Sequence, residues 1–247
     1  MPNQMLKGAV KYCIEDKRFF LFVLIQFFIF ECIANNVGGI MKSTSIIVLL
    51  IILGYGLKVT QDVIYGGKHL PKIKIREWVD LGFKGFIVYS FYLTIQASAL
   101  FLLSKYLNFP PFDLEEMILY LGETVELFFE HDPISFIIFI LAGLIIVYVT
   151  IFFMEISLAK LADGEHLKDA FDFREIKHVI ETIGWNNYAI DYTKIVLALV
   201  ILISINIFFT RYNGLNIIMG VITDILAFLV EYRGIGNIYR EYKELTA

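Results

Sequence analysis

The chain has 247 residues, of which 58% are hydrophobic and 16% aromatic, with a formal net charge of -4; an ordinary soluble domain is roughly 45–50% apolar. That excess rules out a typical soluble protein, and 23 Phe and 14 Tyr against only 5 Pro point to an all-α integral membrane protein. Six spans of about 20 residues with short connections would use most of the length, so residues 1–247 are expected to form a single polytopic membrane domain.

In chain order, long apolar windows predict transmembrane helices at Phe19–Ile33, Ser45–Ile64, Gly85–Leu107, Ile134–Leu158, Tyr192–Phe209 and Leu215–Tyr232. The first is the shortest: a run of about 15 residues rises only some 22 Å against a hydrocarbon core of roughly 30 Å. Charged residues precede it and no small-residue cleavage site follows it, so a span is expected rather than a cleavable signal. Cys13 and Cys32 are too far apart for a Cys-x-x-Cys site, and two unpaired thiols are expected.

Basic residues flank alternate connections. Of the 21, only Lys42, Lys105 and Arg211 fall on one side of the membrane; the rest, including Lys7, Lys58, Lys74, Lys160, Arg174 and Arg240, fall on the other. The positive-inside rule then predicts a multi-pass cell-membrane protein with both termini cytoplasmic. The third connection carries Glu115, Glu116, Glu123, Glu126 and Glu130, with Leu114, Met117, Ile118, Leu121 and Val125 at helical spacing between them. This predicts an extracytoplasmic amphipathic helix over about 112–130, after the Pro110-Pro111 break. It is either a rim helix with solvated charges or a cation-attracting vestibule.

The chain also repeats itself. Gly67-Lys68-His69-Leu70 matches Gly164-Glu165-His166-Leu167 at an offset of 97, and Ile75-Arg76-Glu77-Trp78 matches Phe173-Arg174-Glu175-Ile176 at 98. With two spans between the copies, a parallel internal repeat of helix-elbow-helix units is expected, about 45–107 and 134–209, with any pseudo-twofold axis along the membrane normal. Each elbow carries an apolar stripe, Ile75, Trp78, Val79 and Phe83 in one and Phe173, Ile176, Ile180 and Ile183 in the other. Both are expected as short interfacial helices, where basic residues either anchor the elbow or attract anionic headgroups.

At these elbows the chain resembles a known family. Gly54-Tyr55, Lys58, Asp62, Gly66-Gly67, Leu70-Pro71 and Trp78 look like its first signature; Leu161-Ala162-Asp163-Gly164, Leu167, Ala170-Phe171-Asp172-Phe173 and Arg174 look like its second. The family is one of mainly archaeal membrane proteins catalogued as domain of unknown function 4013. The sequence departs from its pattern at Lys168-Asp169 and in the long acidic connection. The resemblance implies a six-span membrane protein, distantly like the membrane domains attached to some glycerophosphodiester phosphodiesterases, and carries no catalytic residue with it.

Ionisable groups within a bilayer are costly and each is a functional candidate. Glu31 in the first span and Asp224 in the sixth are expected in the middle third of the membrane, where with Asn206 they form either a hydrogen-bonded structural cluster or a substrate or proton site. At an offset of 97, Lys58 and Glu155 are equivalent, so the expectation is either an ion pair between the halves or a Lys58 that snorkels to the surface. Histidines lack metal-ligand spacing, so no metal site is expected, and no cofactor motif is present. His69 and His166 are expected to close helix ends beside their glycines, and Gly54-x-Gly56 to be a packing notch.

Scattered bases give no footprint for nucleic acid. The expected partners are the lipid bilayer with its anionic headgroups, and a membrane protein or a second copy of the chain. The expected role is non-enzymatic, transport-like or scaffolding. The alternative is a lipid-modifying or lipid-binding enzyme at the cytoplasmic interface, using His69, Asp163, His166 and Asp172.

Overall fold

The computed structural model describes residues 42–67, 70–72, 74–108, 132–164, 166–209 and 215–247. The expected first span, the acidic helix at 112–130, Glu31 and His69 lie outside these. Among the described residues the protein is all helical: α1 (Lys42–Ile64), α2 (Ile75–Tyr106), α3 (Pro133–Ala162), α4 (Phe173–Ile183), α5 (Trp185–Phe209) and α6 (Leu215–Thr246), with a 3₁₀ turn at Asp169–Phe171. Three of these helices, α2, α3 and α5, are long and apolar enough to cross a membrane. At 1.5 Å per residue the 32-residue α2 is about 48 Å long, well beyond the roughly 30 Å of a hydrocarbon core.

Among the described residues two compact units form, one of those up to Val88 with those from Glu155 on, and the other of those between Tyr89 and Met154. In the smaller unit Asp132 starts α3: its carboxylate accepts from Ile134 N at 3.1 Å and from Ser135 Oγ at 2.7 Å. Pro133, which has no N–H to satisfy, takes the first helical position.

Glycine pairs arrange the larger unit. A Cβ on Gly54 would stand 1.8 Å from the carbonyl oxygen of Trp78, and one on Gly82 would stand 1.9 Å from that of Leu50, so α1 and α2 touch backbone to backbone. Two residues on, about 200° around the helix, Gly56 faces the Tyr232 ring of α6 at 2.5 Å. In α6 the pattern recurs: Gly234 faces Ile195 of α5, while Gly236 faces Val63 and the Thr60 carbonyl of α1. Opposite faces of α1 and α6 are therefore both engaged, giving the order α2, α1, α6, α5. Thr60 Oγ1 pins the middle pair by donating to the Tyr232 carbonyl at 3.0 Å, and Trp78, Tyr55, Phe228 and Tyr232 stack ring to ring through three helices. The packing notch expected at Gly54-x-Gly56 is present and serves two neighbours.

The elbows differ from expectation in one respect. α4 is a separate 11-residue helix, but the first elbow has no short helix of its own, because Ile75–Phe83 is the start of the continuous α2. The difference lies at Gly184, whose φ of +93° breaks α4 from α5; α2 has Phe86 at the corresponding place. The stripes differ too. α4 buries Ile176, Val179, Ile180 and Ile183 and leaves Phe173 exposed, whereas of the first stripe only Trp78 is buried, at 1% exposure. Trp78 sits on the Gly54 side of α2, while Ile75, Val79 and Phe83 face outward.

Candidate functional site

The last three turns of α3 give the site its character. From Met154 to Ala162 every residue is buried, so this helix end is surrounded on all faces, and it brings two ionisable side chains with it. Lys160 is 2% exposed and Glu155 4% exposed. Lys160 donates to the carboxylate of Glu175 in the first turn of α4. Among the described residues Glu155 forms no ion pair, and its Oε2, out of contact with solvent, meets no hydrogen-bond donor.

The expected pairing of Lys58 with Glu155 is not what the bundle makes. Lys58 Nζ donates to Gln61 Oε1 at 2.9 Å and lies 3.6 Å from Glu77 Oε2 in the first turn of α2. Each elbow thus has its own Lys–Glu tie, from the helix before it to the helix after it. The register explains why the cross-pair fails. Ile64 and Ala162 end their helices, Gly66 and Gly164 follow with φ of +78° and +98°, and Ile75 and Phe173 begin the next helices; each pair of landmarks is 98 residues apart. At that offset Glu155 corresponds to Leu57 and Lys58 to Ile156. The 97-residue match at Gly-x-His-Leu falls in the loop, where a one-residue slip costs little.

A second cluster joins both elbows to the C-terminal helix. Lys243 Nζ contacts both carboxylate oxygens of Asp163, at 3.0 and 2.7 Å, and stands 5.5 Å from the centroid of the Tyr65 ring. Tyr65 Oη donates to the Asp163 carbonyl at 3.4 Å. A side-chain interaction with the Asp163 carboxylate foremost, then burial and the negative charge of Asp163, raise the Tyr65 hydroxyl above its ordinary value of 10.0, with Lys243 acting in the opposite direction.

The remaining elbow candidates have structural work. Leu70 is buried and Pro71 half-buried beside it; Gly67 donates to the Asp62 carbonyl at 2.7 Å, where a Cβ would collide with the Asp62 side chain. Asp172 caps α4, accepting from Arg174 N at 2.9 Å and Glu175 N at 3.3 Å. Phe171 closes the 3₁₀ turn through the Lys168 carbonyl, and Arg174 is exposed. His166 does not close its helix end, contrary to expectation. Backbone bonds from Asp163 N to Ala159 O and from Gly164 N to Leu161 O do that, and the exposed His166 instead donates its N–H to Asp169 Oδ2.

Asn206 and Asp224 are half-buried on α5 and α6, and their side chains are not hydrogen-bonded to each other. No group of three or more His, Cys, Asp or Glu is assembled for a metal among the described residues. Sequence reasoning missed Lys160, which it counted only as a flanking base. The signal was there: Arg-Glu opens the second helix of both elbows, and both glutamates take a lysine from the preceding helix.

A family model described as Protein of unknown function (DUF4013) matches residues 37–230. No curated protein and no solved structure matches the chain.

Proposed function

The chain belongs to the DUF4013 family, and on that premise we propose that it is a six-span protein of the cell membrane, with both termini cytoplasmic, that carries a small solute or lipid across the bilayer. One observation bears most of this reading: Glu155 and Lys160 are buried where an apolar membrane helix enters the bundle. Ionisable groups in such helices are costly and mark substrate and ion pathways. A purely structural bundle would lose nothing by having leucine at Glu155.

The architecture proposed with it is a parallel duplication about an axis along the membrane normal. Support comes from the common 98-residue spacing of helix ends, positive-φ glycines and helix starts, and from Glu77 and Glu175, also 98 apart, each of which takes a lysine of the preceding helix, Lys58 or Lys160. Tyr65 and Asp163 are also 98 residues apart and touch each other. Residues that meet their own equivalents belong on a twofold axis.

The scaffolding reading is favoured by a different feature, the exposed Ile75, Val79 and Phe83 at the start of α2, which would bind a membrane partner or lie among anionic headgroups. The lipid-enzyme alternative is weakened because Asp163 and Asp172, two of its four candidate groups, are held by Lys243 and by the α4 amides. Vesicles loaded with labelled glycine, glycerol or phosphate separate the three. Release of any one faster than from protein-free vesicles supports carriage. Release at the protein-free rate, with one membrane protein co-purifying at fixed stoichiometry, moves the assignment to a scaffold, and turnover of added phosphatidylglycerol moves it to an enzyme.

A further inference from the structure

Among the described residues, the lysines of the helices around Glu155 are committed elsewhere. Lys58 of α1 is turned to Gln61 and Glu77, Lys160 on the same helix reaches Glu175, and Lys243 of α6 holds Asp163. The group of α6 that acts on Glu155 electrostatically is Glu231, a half-buried carboxylate of the same sign. A bilayer around the bundle would make the surroundings drier still.

A carboxylate in that position is tolerable only when its charge is cancelled by something bound. The binder must be small. A metal cation would call for several oxygen ligands, and among the described residues no cluster of three acidic or other ligating side chains exists. A proton needs a single oxygen atom, and Oε2 of Glu155 is one with nothing else bound to it.

We propose that Glu155 is an exchangeable proton-binding site, loaded from and emptied to the solvent on the elbow side. On loading, a proton passes from water to Oε2 of Glu155, whose charge changes from -1 to 0; unloading reverses the transfer. The elbow at Asp163 is eight residues further along the chain, about 12 Å of helix, so solvent lies close while Glu155 itself stays dry. As a coupling ion for transport the proton rests on the carrier reading above. The site itself does not.

Two measurements keep the two ideas apart. The first is infrared absorption of the full-length protein in phosphatidylcholine–phosphatidylglycerol vesicles, followed through a pH change in light and heavy water. A protonated-carboxyl band that shifts in heavy water, fades at high pH and is missing in Glu155→Gln is expected; its absence from the wild type, or its survival in Glu155→Gln, overturns the site. Glutamine has the shape of the loaded acid, so this variant is expected to fold, and the exposed Glu181→Gln is the control that keeps the band.

The second is acidification of the same vesicles, read with an internal pH dye under an imposed potassium gradient. Acidification that falls to the protein-free rate in Glu155→Gln and is unchanged in Glu181→Gln supports proton coupling. Equal acidification by wild type and Glu155→Gln overturns it, as does acidification that disappears when external sodium is replaced by choline. The Glu155 band without any acidification leaves the proton site standing and removes proton coupling, while the carrier reading stands or falls with the solute-release assay.

Discussion

A methyl group on Gly54 would have to occupy space 1.8 Å from a backbone oxygen, and backbone does not step aside as a side chain can. Alanine is worth about 1 kcal/mol over glycine within a helix, but separating α1 from α2 is an overpacking change of about 1–3 kcal/mol. Gly54→Ala and Gly82→Ala are therefore expected to lower the thermal midpoint in detergent, and the double variant to cost less than the sum, since either methyl alone forces the same separation. Gly143→Ala, whose nearest neighbour is the flexible end of Leu100 at 3.4 Å, is expected to be neutral or stabilising. Tyr65 gives a pH test. A hydroxyl held above its ordinary value in the folded state lends stability that is complete below pH 10 and is lost as pH rises through the raised value. Wild type should lose more thermal stability than Tyr65→Phe above pH 10, by a small margin because Tyr65 is 65% exposed; equal losses would mean that the hydroxyl does not matter. The Gly54-x-Gly56 notch was legible because two small residues in a row of large apolar ones have few other uses. The partner of Lys58 was not, since a side chain that long reaches several turns of two helices and only the packed register chooses among them.

At the scale of elements, helix ends decide what the apolar pattern alone does not. Both elbows have an apolar stripe at helical spacing, and the stripe predicts a helix without saying whether it continues into the span that follows. Gly184 settles that for α4: at φ +93° and ψ 125° it occupies backbone space that residues with a Cβ rarely enter, at a penalty of about 1–2 kcal/mol for left-handed φ. Gly184→Ala is expected to destabilise the α4–α5 corner by about that amount, seen as faster amide exchange over residues 181–188, with no steric contribution because Asn187 is 3.6 Å away. At the other end of α4, Asp172→Ala removes a cap that serves two amides and should cost about 1 kcal/mol, whereas Asp172→Asn should recover most of it. A lipid-enzyme role for Asp172 predicts the reverse, a loss of turnover in both variants at unchanged stability. The amphipathic stripe of α4 was readable from sequence, down to three of its four buried positions. The outward turn of Ile75, Val79 and Phe83 was not, because a residue facing lipid and a residue facing protein are both apolar, and only Gly54 and Gly82 mark which side of α2 meets α1.

On the scale of the whole chain, the basic residues at alternate connections suggest where the elbows lie, but not that a single side chain ties them together. Lys243 does so: it reaches Asp163 of the second elbow and covers the Tyr65 ring of the first, although it belongs to the last turns of α6, far from both in sequence. Asp163 is nearly enclosed, its side chain 9% exposed, while Lys243 is 41% exposed, so the pair is screened on one side and worth about 1 kcal/mol rather than the several of a dry pair. Removing Lys243 leaves the enclosed carboxylate without its cation, and that loss is the larger part of the effect. Lys243→Glu, which places like charges together, is expected to lower the thermal midpoint by more than Lys243→Ala and to free the C-terminal turns to exchange; the swap Asp163→Lys with Lys243→Glu should restore most of both. If the duplicated halves meet on an axis at Tyr65 and Asp163, loosening this clasp should also quicken exchange in both elbows together, around residues 65–67 and 163–164, and not in the second alone. An effect confined to 163–164 would leave the C-terminal helix tied to one copy and count against the axis.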